Sequence, residues 1–266
     1  MTLLDHSDIG VSTGAYAALP LAEALARIAE IAPSAEVCSW GRHSLLEFEN
    51  ARAVTATGLS FTVHGPLTHD GLGSRLPSRR RAAVDLHRRH LWAAAELGAT
   101  LYVVHPDLQR RKRPWSSRVA ASLERSFAEL RVLQDELGVT VVVENMPFRG
   151  RSHFTAPGDL DMQGLSLAFD VGHAAIAGTL SAWLADPRGM VRHVHLHDNH
   201  GRHGHDLHHS LGTGVVDAAP ALALARAMGA TIVLEHTVEA HVDASLEHLR
   251  ARGLIGRSTA GDGEHR

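Results

Sequence analysis

Residues 100–145 read TLYVVHPDLQRRKRPWSSRVAASLERSFAELRVLQDELGVTVVVEN. Two short apolar runs, TLYVVH (100–105) and TVVVEN (140–145), bracket an amphipathic stretch rich in Ala, Leu and Arg at 116–137. The runs are continuously hydrophobic rather than alternating, the pattern of parallel strands covered on both faces. Parallel strands need a long crossover between them, and the 116–137 stretch supplies one as a helix. Each run then closes in a polar residue that can do chemistry, His105 and Glu144.

The same unit recurs on both sides. Strands are expected at DIGVST (8–13), AEVCSW (35–40), SFTVHG (60–65), SLAFDV (166–171), VRHVHLHD (191–198) and TIVLEH (231–236). Helices are expected near 20–31, 43–57, 78–98, 174–187, 217–228 and 240–252. Eight strands alternating with helices over about 250 residues predict a (β/α)8 TIM barrel. A doubly wound open sheet is the alternative, but no Gly-rich phosphate fingerprint follows the first strand. One catalytic domain is expected over 1–255, with a flexible tail at 256–266 (GRSTAGDGEHR). Two irregular stretches, 146–164 and 198–216, are long enough to expect a functional role.

Composition narrows the classes. The 266 residues are 44% hydrophobic with a formal net charge of -3, ample for a core. A near-neutral balance gives no case for nucleic-acid binding, which shows as a strongly basic domain. The single cysteine, Cys38, excludes an internal disulfide and reads as a small core residue in an apolar run. The start, MTLLDHSDIG, lacks the basic-then-apolar order of a signal peptide. No run approaches the roughly eighteen apolar residues of a membrane helix. A cytoplasmic protein is the expectation.

The polar strand ends form a series. His64 closes the third strand, His105 the fourth, Glu144 the fifth and Asp170 the sixth, with His173 just after it. His195 lies near the end of the seventh, Asp206 and His208 follow in its loop, and Glu235 ends the eighth. In a barrel all C-terminal strand ends open on one mouth, where such folds keep their chemistry. Eight histidines also crowd between His193 and His209. Imidazoles so close repel when charged and need partners when neutral, so a metal site explains them better than a core or a solvated loop. Mixed imidazole and carboxylate ligands suit a divalent Zn, Mn, Fe or Co rather than Ca or Mg; zinc is expected first.

The motifs VHGP, VVHP, VVEN, FDVGH, HLHDN, DLHHSLGTG and LEH, in this order and at these strand ends, resemble the xylose isomerase-like TIM-barrel superfamily. That group holds sugar isomerases and epimerases and the endonuclease IV branch. The endonuclease branch implies three zinc ions on nine ligands. His64, His105 and Glu144 would hold one; Glu144 would bridge to a second on Asp170, His195 and Glu235; His173, Asp206 and His208 would hold the third. The isomerase branch implies one metal on Glu144, Asp170, His195 and Glu235, with Glu144 and Glu235 shuttling a proton and His173 contacting substrate. Many isomerases of that branch carry a substrate-gripping arginine after the seventh strand; here the stretch reads HHSLG, with only Arg202 nearby.

Five ligand-type residues beyond the isomerase set favour a metal-dependent hydrolase of a phosphate ester, with metal-bound hydroxide as nucleophile. GPLTHDGLGS after His64 has no aromatic wedge, so a small phosphodiester is expected rather than DNA. Arg110, Arg111, Lys112 and Arg113, with Arg149 and Arg151, follow strands four and five on the same rim. Of these Arg110, Arg111, Arg113 and Arg149 are expected to bind a phosphorylated small molecule. Trp115 and Phe148 could line the same pocket. Arg79–Arg81 with Arg88 and Arg89 read as a solvated outer face. The alternative functions are a metal-dependent sugar or sugar-phosphate isomerase or epimerase, with Glu144 and Glu235 as acid and base, and a non-catalytic metal or sugar binder. Oligomeric state is open.

Overall fold

The structure, a computed structural model, describes residues 9–69, 71–109, 115–187 and 190–256. Eight parallel strands close on one another in sequence order: β1 (Ile9–Ser12), β2 (Ser34–Cys38), β3 (Ser60–His64), β4 (Leu101–Val104), β5 (Thr140–Glu144), β6 (Ser166–Asp170), β7 (Val191–Leu196) and β8 (Thr231–Leu234). The seam joins β1 to β8, with Ile9 opposite Ile232 and Val11 opposite Leu234. The expected barrel is what forms, each strand within a residue or two of its expected limits.

Around the strands run α1 (Leu21–Ile31), α2 (Phe48–Thr57), α3 (Pro77–Glu96), α4 (Ser117–Leu137), α5 (Val171–Ala177), α6 (Leu180–Ala185), α7 (Ala218–Met228) and α8 (Glu239–Ala251). One difference from expectation has a local cause. The helix expected at 174–187 starts earlier, because Asp170 caps the His173 amide, and then splits at Gly178, whose φ of 71° ends α5. Among the described residues β5 is followed by irregular chain, as expected for 146–164. That segment is held by polar side chains: Asp107 accepts from the Ser152 hydroxyl, the His153 amide and His153 Nδ1, at 2.8, 3.0 and 2.9 Å.

The main core lies between strands and helices and includes Leu25, Ile28, Leu91, Leu123, Phe127, Phe169 and Trp183. A small apolar plug, Leu101, Val103, Val142 and Ala168, occupies the barrel interior. Strand side chains alternate between these two regions. The alternation that turns Val142 inward therefore turns Glu144 inward one step nearer the mouth, and likewise carries Ala168 to Asp170. The functional groups lie directly above the plug.

Candidate active site

At the mouth, inward alternation gathers the polar strand ends. Glu144, Asp170, His195 and Glu235 each place one ligand-type atom within 4.8 Å of the others; so do His64, His105 and Glu144, and so do His173, His197, Asp206 and His208. All nine expected metal ligands fall into these three groups, with Glu144 shared by two. His195 Nδ1 lies 3.1 Å from Glu235 Oε2, 3.6 Å from Glu144 Oε1 and 3.9 Å from Asp170 Oδ2. His64 Nε2 and His105 Nε2 lie 3.1 and 2.8 Å from Glu144 Oε2.

A divalent cation fits the first of these groups. Glu144, Asp170 and His195 are fully buried, and the Glu235 side chain is 13% exposed. Glu144 Oε1, His195 Nδ1 and Glu235 Oε2 are buried without a hydrogen-bond partner among the described residues. Three carboxylates crowded away from water are tolerated only with compensating positive charge, and orphaned donors converging on one point are what a cation requires. The mixed N and O donor set suits a transition-type ion. Burial raises the pKa of Glu144, but the facing His105 and His195 bring it well below the carboxylate range. Burial likewise raises Asp170, and His173 and His197 carry it down to about 2. Both are held ionised, the form a metal binds.

Supporting contacts aim these groups. Asn145 joins β5 to β6 by donating to the Asp170 carbonyl at 2.9 Å and accepting from its amide at 2.8 Å. His173 Nδ1 donates to the Asn145 carbonyl at 2.9 Å, which leaves Nε2 3.2 Å from Asp206. His208 Nδ1 donates to the Glu235 carbonyl at 2.8 Å, and its other nitrogen faces Asp206 at 3.2 Å. His208 holds a left-handed φ of 49°, a strained conformation of the kind that gathers at functional sites. Behind Asp170 stands His197, 3.1 Å from its Oδ1 and stacked on His208 at 3.9 Å. Gly172 makes room for that ring: a Cβ there would lie 2.1 Å from it.

The groups open into a cavity of about 250 Å³. His64, His105, His173, Asp206, His208 and Glu235 form its polar wall; Trp40, Leu67, Leu108, Met146 and Pro147 form its apolar one. Trp40 stands edge-on to His64 at 5.1 Å between centroids. Cys38 also lines the cavity, but burial first, and then nearby carboxylates, push its thiol up to about 12, so it is no nucleophile.

The remaining expected residues lie away from this wall or outside the described residues. Arg110, Arg111 and Arg113, with Lys112, lie outside the described residues. Arg149 and Trp115, the latter 63% exposed, are absent from the described cavity wall, as is the half-buried Phe148, which carries the Arg151 guanidinium 4.9 Å above its ring. Arg202 packs over Gly178 at the end of α5. On α3, Arg79, Arg81, Arg88 and Arg89 are exposed as expected, whereas Arg80 is largely buried and paired to Glu129. Sequence reasoning missed Trp40, His197 and Glu36, which groups with His193 and the expected ligand His195. The signal for the trio was a carboxylate, Glu36, inside an otherwise apolar strand.

Residues 39–252 match the family described as xylose isomerase-like TIM barrel. The chain is 27% identical over 214 residues to the uncharacterized protein MJ1614 of Methanocaldococcus jannaschii, covering 79% of this chain and 84% of that one. Its fold is similar to a D-tagatose 3-epimerase-like protein (TM-score 0.78, 25% identity, 92% of this chain and 96% of the other). It is similar also to the TTHB071 protein from Thermus thermophilus, solved with a ZnCl2 soak (TM-score 0.65, 26% identity, 97% and 100% covered). The expected phosphodiester hydrolase is corrected by this likeness to a sugar epimerase-like protein, while further sugar 3-epimerases share the fold. The physical reason is that surplus imidazoles and carboxylates serve a polyhydroxylated ligand as well as a metal cluster, so their number alone did not discriminate. The match over most of the length, the closed eight-stranded barrel and the ligand-type groups at its mouth together make the chain a member of the xylose isomerase-like TIM-barrel family.

Proposed function

We propose that the protein is a metal-dependent epimerase of an uncharged sugar-type hydroxy-ketone. The observation that carries this reading is the convergence of Glu144, Asp170, His195 and Glu235 on one point, with Glu235 in the wall of the mouth cavity. These four would hold a divalent cation, zinc, manganese, iron or cobalt. Bound there, such an ion polarises a ketone and makes the neighbouring C–H acidic.

The rest of the chemistry belongs to the chain. Glu144 on β5 and Glu235 after β8 come from positions three strands apart around the barrel. A carbon held between them shows one face to each carboxylate. One glutamate removes the proton from the carbon beside the carbonyl, and the other returns a proton to the opposite face, inverting that centre. His64, His105, His173, Asp206 and His208 are placed to meet sugar hydroxyls. Trp40, Leu108 and Met146 offer an apolar surface to the C–H face of the ring and keep water from the exchanging proton. The sugar named for the similar D-tagatose 3-epimerase-like protein carries no phosphate, which supports an uncharged substrate over a phosphorylated one.

A panel of free ketohexoses and ketopentoses, each paired with its monophosphate, tests this with metal-loaded protein. Epimer formation from a free ketose is the expected result. Turnover of phosphates alone would overturn the uncharged-substrate part, and turnover of neither series would overturn the epimerase reading.

A further inference from the structure

The buried carboxylate of Glu36 has no role in the proton transfer just described, yet it is fully buried inside the barrel. It lies directly behind the proposed metal ligand His195. Its Oε1 is 3.0 Å from His195 Nε2 and its Oε2 is 2.9 Å from His193 Nε2, ion-pair contacts whose Oε1 and Nε2 atoms are not aligned as hydrogen bonds. The Thr62 hydroxyl donates to Oε2 at 3.3 Å, and the Thr231 hydroxyl lies 2.6 Å from His193 Nδ1. An isolated ionised carboxylate in such a place is costly and survives only with partners.

The chemistry of the pair fixes a tautomer. An ionised carboxylate only accepts hydrogen bonds, whereas a neutral imidazole has one N–H and one lone pair. With Glu36 at its Nε2, His195 keeps its proton on that nitrogen. The lone pair is then left on Nδ1, the atom 3.1 Å from Glu235 and facing Glu144 and Asp170. A carboxylate behind a ligating histidine also sets the ring's orientation and raises its basicity.

We infer that Glu36 is a positioning residue that holds His195 in the tautomer and orientation needed to bind the cation through Nδ1. This rests on the proposed metal site. A rival use of the same atoms exists, because Glu36, His193 and His195 could themselves surround an ion. That ion would demand that His195 bind two cations, one through each nitrogen, and so lose both ring protons. The positioning role needs only the ordinary neutral ring.

The test titrates chelator-stripped protein with Zn2+ or Co2+ alone against a competing chelator. The binding step of the proposed site is identified as the one abolished by Asp170→Asn. Glu36→Gln is expected to keep the number of ions per chain and to weaken that step by about 10–100-fold, the usual cost of removing such a partner. It should also alter the Co2+ absorption spectrum. Glu36→Asp, which keeps the charge on a shorter arm, should weaken binding less, and it carries the test if the glutamine variant does not fold. Unchanged affinity in these variants would overturn the inference alone. Loss of one whole ion on Glu36→Gln, with the Asp170-dependent step intact, would overturn it in favour of an ion on the trio. Wild-type protein that takes up no metal would overturn the metal site and this inference together.

Discussion

Glu144 is met by four imidazoles, those of His64, His105, His173 and His195. A strand-end glutamate could equally have paired with an arginine; what separated the two readings was the recurrence of His and carboxylates at the ends of neighbouring strands. Glu36 and His197 escaped notice because they lie behind the residues that line the mouth. Their role depends on which partner stands across the barrel, which linear spacing does not reveal. Other buried histidines serve the core. His87 on α3 is fully buried, with Nδ1 3.0 Å from the Tyr102 hydroxyl, and burial lowers its pKa to about 3. The folded state therefore refuses a proton that the unfolded chain accepts near pH 6.5. The stability tied to a neutral His87 is fully present above that value and is lost as pH falls toward 3. Denaturant unfolding at pH 7.5 and pH 5 should show wild type losing about 2 kcal/mol more than His87→Gln over that interval. Equal losses would show that His87 is not kept neutral.

At the scale of elements, strands were legible because each is a short, continuously apolar run ending in a polar residue, as in TVVVEN (140–145). Loops were legible as loops but not as shapes. The 198–216 loop is organised by the buried Asp198, whose carboxylate accepts the amides of Asn199, Gly212, Gly214 and Val216 at 2.8, 3.1, 2.7 and 2.9 Å. Gly214 is required there, since a Cβ would lie 2.0 Å from the Asn199 carbonyl oxygen. These are contacts over up to 18 residues of separation, set by backbone geometry rather than by periodicity. Hydrogen bonds to a charged acceptor contribute about 1.5–3 kcal/mol each. Asp198→Ala is expected to destabilise the loop by about 3 kcal/mol or more. Amide exchange should then quicken at Gly212, Gly214 and Val216 while β4 and β5 stay protected. Unchanged exchange at those three amides would refute this account of the loop.

For the whole molecule, fold and mouth followed from one regularity: parallel strands bring all their C-terminal ends to one side. Reaction class did not follow, because the residues that would ligate extra metal ions are also those that would bind hydroxyl groups, and residue type does not separate the two. His173 and Asp206 illustrate this, lying 3.2 Å apart at the cavity wall in a pairing open to either use. The Glu144–Glu235 pair is where the two chemistries diverge, since only proton transfer at carbon needs both as acid and base. Incubating metal-loaded protein with a ketose substrate in D2O and reading the product by NMR addresses that pair directly. The account predicts deuterium at the inverted carbon beside the carbonyl, with exchange falling by about 10²–10⁴-fold in Glu144→Gln and in Glu235→Gln. Epimer formed without solvent deuterium, or exchange that persists in both variants, would contradict it.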